Sequence, residues 1–491
     1  MSRPFVVGLA LFAVLARPLS AQAVYDVVIR GGRVIDPESQ LDAVRQIGIL
    51  GGRIAAISSG PLRGKQVIDA RGLVVAPGFI DLHAHGQDDE NYRLFALDGV
   101  TTALELEAGT ENVPAFYAER EGKALINYGA SASHIKARMS VMHDGGVAAR
   151  TLLPLDSAGY NVASDAQIAE MRRQIEMGLA AGGLGVGMGL QYTPAATKYE
   201  VLEAFRSAAR FRAPVFVHTR SWGAKDPGSS VESYLEVIGA SAITGAPVHL
   251  VHLNSTSVDA TPRTLAMITD ARARGLDVTA EAYPYIAGMT EIASPLLDRY
   301  LAGPDSLFST LMLARTGERL TRATFLANRT PGELVIIFVN TPEMEAMAIT
   351  SPLTAIASDG ALRNGIGHPR AAGTFARVLG SYVRETKQLT MLEAIRKMTL
   401  MPAQRLEALA PVFRNKGRLR VGADADVTMF DPATVSDQAT YLKPALASVG
   451  FRHVLVGGVP VVVDGVIQDG RYPGRGVRSR GTLPEAPLRR R

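Results

Sequence analysis

The chain has 491 residues, 47% hydrophobic and 20% charged, which exceeds one small domain and excludes a disordered polypeptide. Its formal charge is +5, but no basic stripe is interleaved with aromatic residues, so nucleic acid is not an expected partner. Cysteine is absent, which excludes disulfide staples, thiol chemistry and thiolate metal ligands.

The opening "MSRPFVVGLALFAVLARPLSAQA" has an early Arg3, an apolar run from Phe5 to Leu15 and Ala-Gln-Ala at 21–23. This is the pattern of a secretory signal peptide cut after Ala23, and it predicts an exported, periplasmic or secreted protein. The apolar run is short and is followed by Arg17 and Pro18, which argues against a retained membrane anchor. Losing Arg3 and Arg17 lowers the formal charge from +5 to +3.

Next come "VYDVVIRGGRVIDP" and "QIGILGGRIAAISS", short strand-like runs broken by Gly-Gly turns. The same texture returns in "DADVTMFDPATV" and "RHVLVGGVPVVVDGVIQDG". Residues 24–77 and 417–491 are therefore predicted to form a small β-sandwich domain from both termini. The basic tail "RYPGRGVRSRGTLPEAPLRRR" reads as a solvated, mobile end.

Between these segments lie eight apolar runs of strand length: "GFIDLHA", "VTTALELEA", "YGASASHI", "GLGVGMG", "PVFVHTR", "PVHLVHL", "DVTAEAYP" and "TAIASDG". Amphipathic stretches such as Ala166–Ala181 and Lys198–Arg210 separate several of them. Eight parallel strands with crossover helices predict an α/β fold, a (β/α)8 TIM barrel over 78–416. More than sixty residues, Ile286 to Pro352, separate the last two runs. That insertion is either a lid at the barrel mouth or a peripheral decoration.

Barrel enzymes carry their chemistry at the C-terminal ends of the strands. There the first run offers His83 and His85, the second Glu105 and Glu107, the fifth His218, the sixth His252 and the eighth Asp359. Imidazoles with a carboxylate suit one or two divalent ions such as Zn2+. Asp359 is then placed to move a proton during hydrolysis of an amide or related C–N bond. His249 lies three residues before His252 and is read as a packed structural histidine facing the other way. His134 either reaches the cavity or is a hydrogen-bonded core residue. His143, His368 and His453 read as loop or surface residues.

"PGFIDLHAH", "GVTT", the strand-ending histidines, "SDG" and "GADADVTMFDP" resemble the amidohydrolase superfamily. "GLGVGMGLQYTPA", "FVHTR", "AEAYPY", "HPRAAGTFARVLGSYVRE" and "KMTLMPAQRL" narrow the resemblance to the D-aminoacylase (N-acyl-D-amino-acid deacylase) group. The resemblance implies a metal-dependent hydrolase of N-acyl-D-amino acids. It implies His83, His85, His218 and His252 as metal ligands and Asp359 as catalytic acid/base. Arg370 would bind the substrate carboxylate, with Tyr283 and Tyr192 lining the pocket. Two departures stand out. The group's bridging cysteine falls at Ala108 here, which leaves the bridge to Glu107 or Glu105. A frequent carboxylate-binding lysine is replaced by Asn254, for which Arg220 is a possible substitute. The other readings are a cyclic-amide, dipeptide or related amidohydrolase and, in a different class, a degenerate binding barrel.

Overall fold

The computed structural model describes residues 24–481; the predicted leader (1–23) and residues 482–491 lie outside them. Each of the eight predicted runs contributes one strand to a single parallel sheet. In order these are Phe79–Asp81, Val100–Thr110, Asn127–Ser133, Val186–Gly189, Val215–His218, Val248–Leu250, Val278–Ala282 and Thr354–Ile356. Neighbours in sequence are neighbours in the sheet, so every connection is a crossover to the adjacent strand. The sheet closes at its C-terminal rim, where the His85 and Gly86 amides donate to the Gly360 carbonyl at 3.0 and 3.1 Å. Asp81 reinforces the seam: its Oδ1 accepts from the amides of His83 and Ser358, each at 3.0 Å.

The strands are almost wholly buried, because helices cover the outside and side chains fill the inside. Helix Lys198–Arg210 illustrates the covering layer. Thr197 caps its start, and Val201, Ala204, Phe205 and Ala208 form a buried stripe at helical spacing. Helix Asp165–Ala180 starts with a full capping box between Ser164 and Gln167.

The insertion folds on its own terms. Strands Ala287–Glu291, Leu311–Leu313 and Leu334–Phe338 make a small antiparallel sheet. Its core joins Ile292, Leu297, Phe308 and Phe325 to Ile135 and Tyr192 from the barrel. It sits over the barrel mouth rather than at the periphery: Met289, Thr290, Ile337 and Val339 face the same recess as His218 and His252.

Strands from both ends of the chain do pair, with Pro77 opposite Val427 and Val75 opposite Met429. The small domain differs in one respect from a sandwich of two separate sheets. It is one nine-stranded sheet curled on itself, so that the Ile54 amide reaches the Ala423 carbonyl at 2.9 Å. Val27, Ile47, Ile54, Val427 and Leu455 share the core that this enclosure creates.

As far as residue 481, the predicted mobile tail is docked on the barrel. The Val477 amide donates to Tyr128 O at 2.8 Å, Tyr117 Oη donates to Val477 O at 2.5 Å, and Arg478 stacks on the Tyr117 ring. These backbone bonds and the burial of Val477 hold the segment despite its basic composition. Among the described residues, no helix is long and apolar enough to cross a membrane.

Candidate metal centre

The C-terminal rim brings His83, His85, Glu107, His218, His252 and Asp359 into one cluster. His83 Nε2 and His85 Nε2 lie 3.1 Å apart, and each is 3.2 Å from Glu107 Oε2. The other Glu107 oxygen faces His218 Nδ1 at 2.8 Å and His252 Nε2 at 3.5 Å. The carboxylate therefore presents one oxygen to each histidine pair. Asp359 Oδ1 stands 3.4 Å from His83 Nε2 and 3.2 Å from His85 Nε2.

The donor set fits a divalent cation. Three combinations (His83–His85–Glu107, His83–His252–Asp359 and Glu107–His218–His252) have donor atoms within 4.8 Å of one another. Two imidazole nitrogens nose to nose beside a carboxylate are poorly served by a single proton and well served by a shared ion. Three of the four rings are also held from behind. Glu281 Oε1 takes His83 Nδ1 at 2.6 Å, Glu105 Oε2 takes His85 Nδ1 at 2.8 Å, and Gln191 Oε1 takes His218 Nε2 at 2.8 Å. In His83 and His85 the carboxylate on Nδ1 fixes the proton there and leaves Nε2 free as a ligand, whereas His218, held at Nε2, offers Nδ1.

This geometry separates the two candidate bridges. Glu105 lies on the far side of His85, where its Oε1 accepts from the amides of Ala108 and Gly109. Of the two, it is Glu107 that lies between the histidine pairs, and Ala108 is a buried neighbour.

The electrostatics agree. Burial pushes the Glu107 carboxyl up, but His83 and the bonds from His218 and His252 outweigh it and hold it well below the usual range. Burial likewise opposes ionisation of Asp359, and Arg370 and His83 overcome it and lower its pKa. His83, whose burial favours the neutral ring, is raised to about 10 by Asp359, Glu107 and Glu281. A proton on His83 and a metal ion at its Nε2 are competing answers to the same anionic surroundings.

The backbone is strained at two of these positions. His252 has φ 31° and Asp359 φ 52°, in the left-handed region that non-glycine residues seldom adopt. His249 is the packed structural histidine expected, but the turn at His252 corrects the expected facing of the pair. Alternation predicts that the two point opposite ways, but the left-handed residue breaks the alternation. His249 faces inward from its strand, buried between Glu281 (3.0 Å) and Thr279 (2.7 Å), and the turn brings His252 round to the same side.

Beyond the ligands, the mouth holds a cavity of about 190 Å3 and a smaller recess of about 40 Å3. Arg370 Nη2 pairs with Asp359 Oδ2 at 2.9 Å, and its guanidinium lies 4.6 Å from the Tyr283 ring centre. Arg370 Nε and Nη1 and the Tyr283 hydroxyl are buried without a protein partner, a donor group open to an anionic ligand. Tyr192 lines both spaces, with its ring against His218.

Arg220, His368 and His453 depart from expectation, and His134 follows its core reading rather than the cavity one. His134 lies outside both recesses: as the first residue of helix His134–Val141 it turns to Glu200 at 2.8 Å, in a buried group with Arg138. Arg220 is likewise diverted, its guanidinium bound by Glu236 at 2.8 and 3.0 Å and by the carbonyls of Pro194 and Ala196. His368 is not a surface residue. It is fully buried, with Nδ1 accepting from the Arg370 amide (3.0 Å) and Nε2 donating to Ala287 O (3.0 Å). His453 is also largely buried, in the small sheet, and His143 is exposed. Asn254 turns away from the cavity to bond the backbone of Tyr283 and Tyr285, so it positions Tyr283.

Sequence reasoning passed over Glu281 and Gln191. The signal for Glu281 was present: alternation in "DVTAEAYP" puts Thr279, Glu281 and Tyr283 on one face.

A sequence model of the Amidohydrolase family matches residues 66–294 and 336–462, omitting much of the insertion. The chain is 31% identical to an N-acyl-D-glutamate deacylase of Alcaligenes xylosoxydans xylosoxydans, across 94% of this chain and 98% of that one. It is 30% identical to a D-aminoacylase of the same organism, across 89% of this chain and 94% of that one. The structure of an N-acyl-D-glutamate deacylase from Bordetella bronchiseptica, complexed with zinc and a phosphonate inhibitor that mimics the tetrahedral intermediate, superposes with a TM-score of 0.79. That match has 27% identity and covers 93% of this chain and 100% of that one. By its eight-stranded barrel, its rim of paired imidazoles and this agreement along the chain, the protein belongs to the amidohydrolase family.

Proposed function

We propose that the protein is a zinc-dependent deacylase that hydrolyses the amide of N-acyl-D-amino acids to a carboxylate and a free D-amino acid. The observation that carries this reading is the juxtaposition of a two-sided ligand cluster with a buried guanidinium whose Nε and Nη1 have no partner. Relatives alike over most of the chain act on N-acyl-D-amino acids.

His83, His85 and Glu107 would hold one ion, and His218, His252 and Glu107 a second. A divalent ion there supplies Lewis acidity, bringing the pKa of water towards neutrality and polarising a carbonyl. The chain's own residues do the rest. Arg370 and Tyr283 anchor the substrate carboxylate, which fixes the scissile amide against the rim. Asp359 Oδ1 accepts a proton as water oxygen bonds to the acyl carbon. It returns that proton to the amide nitrogen as the C–N bond breaks, releasing amine and carboxylate. Tyr192 and the insertion strands limit water around the reacting centre. We also propose export to the periplasm or medium, supported by the signal-like opening residues.

The test is amine release from paired N-acetyl-D- and N-acetyl-L-amino acids by zinc-loaded protein. Turnover of the D series, abolished by chelator, is expected; turnover of only neutral cyclic amides would sink the reading. Glu281→Gln supplies a further check. With the His83 ring less firmly oriented, affinity for zinc is expected to fall about 10- to 100-fold in chelator competition. Unchanged affinity would mean that Glu281 only fills space.

A further inference from the structure

We infer that the cavity takes an apolar amino-acid side chain, and that Glu291, paired with Arg363, excludes acidic side chains from it. The inference rests on the deacylase reading and adds the class of D-amino acid to it.

The cavity wall beyond Arg370 is apolar, made by Leu152, Leu153, Met289 and Leu334. Two arginines line the space, and a D-glutamyl or D-aspartyl substrate would need a cation for each of its two carboxylates. Arg370, already half engaged by Asp359, has only Nε and Nη1 left for the α-carboxylate. The other arginine, Arg363, is half exposed and gives one nitrogen to Glu291 Oε1 at 2.7 Å, so its charge is already balanced by that carboxylate. Lys136, which senses Glu291 electrostatically, donates to the Thr151 carbonyl at 2.5 Å.

Glu291 goes beyond neutralising Arg363. It is 3% exposed, and its Oε2 has no protein partner. A second substrate carboxylate would be desolvated against that buried anion, and Asp88 also lines the cavity. This is a repulsive element against one substrate class, whereas a Leu, Met or Phe side chain meets matching surface. The pair also joins the last strand position of Ala287–Glu291 to the short strand Leu362–Arg363 after Asp359. Its place is thus fixed by two elements rather than by a loose loop.

The experiment compares kcat/KM of the zinc-loaded full chain on N-acetyl-D-leucine, -methionine and -phenylalanine with that on N-acetyl-D-glutamate and -aspartate. A preference of about 100-fold or more for the apolar series is expected. Glu291→Gln, which removes the anion and releases Arg363, is expected to narrow that preference at least about tenfold. Equal or better turnover of the acidic substrates by the unaltered protein would overturn the inference while leaving the deacylase reading intact. Failure to turn over either series would overturn the deacylase reading, and this inference with it. An unchanged ratio in folded Glu291→Gln would remove Glu291 as the determinant. Arg363→Met guards against a variant that does not fold: loss of the apolar preference there would equally contradict the pair's assignment.

Discussion

Replacing Asp359 with Asn is expected to lower kcat about 10²- to 10⁴-fold while leaving bound zinc unchanged. The carboxylate stands at the end of the eighth strand, with Oδ1 towards His83 and His85 and Oδ2 fixed by Arg370. Its left-handed backbone at φ 52° is a strained conformation held by its surroundings. Gly360 comes next, and its carbonyl closes the barrel seam to His85 and Gly86, so the loop has little freedom to swing. Asparagine keeps the shape and the left-handed tolerance but can neither take nor return a proton. The competing role is that of a ligand, since Asp359 lies within ligand distance of His83 and His252. Metal analysis beside kinetics separates the two. Loss of zinc in parallel with loss of activity would make Asp359 chiefly a ligand.

The sequence carried more of the fold than of the site's supporting groups. All eight barrel strands were legible because each is a short apolar run ended by turn residues, and a parallel sheet buried on both faces requires such runs. The histidine and carboxylate positions were legible for a related reason: strand ends in a barrel converge, so residues distant in sequence share one rim. The orientation of side chains just past a strand end was not. His134 opens a helix and follows the helix axis towards Glu200, and Arg220 finds Glu236 on helix Ser230–Thr244. Neither partner could be anticipated without the packing of covering helices. His252 defeated alternation because one left-handed residue reverses the direction in which a strand-end side chain faces. The tail after Asp469 defeated composition, since backbone pairing with Tyr128 and Gly182 is independent of the charges it carries. His368 reads as a polar loop residue, yet its two nitrogens bind Arg370 to Ala287. It thereby ties the Arg370 backbone to the first strand of the insertion.

The bridging position gives the other large effect. Glu107→Ala is expected to bind no more than one zinc ion tightly per chain and to lose about 10³-fold or more in kcat/KM. Glu105→Ala is expected to weaken zinc binding only about tenfold. The contrast comes from position. Both are buried glutamates on the second strand, two residues apart, and both touch a rim histidine. Glu105 meets only the rear nitrogen of His85, and backbone amides hold its other oxygen. Glu107 is the group through which the His83–His85 and His218–His252 pairs meet, one oxygen to each. Without it, the two imidazole pairs lose the carboxylate that joins them and keep only Asp359, so the charge balance that favours two cations is lost. Zinc content measured on Glu107→Ala and Glu105→Ala side by side decides the matter. Equal losses in the two variants would show that the strand end as a whole, rather than one bridging carboxylate, sets the metal affinity.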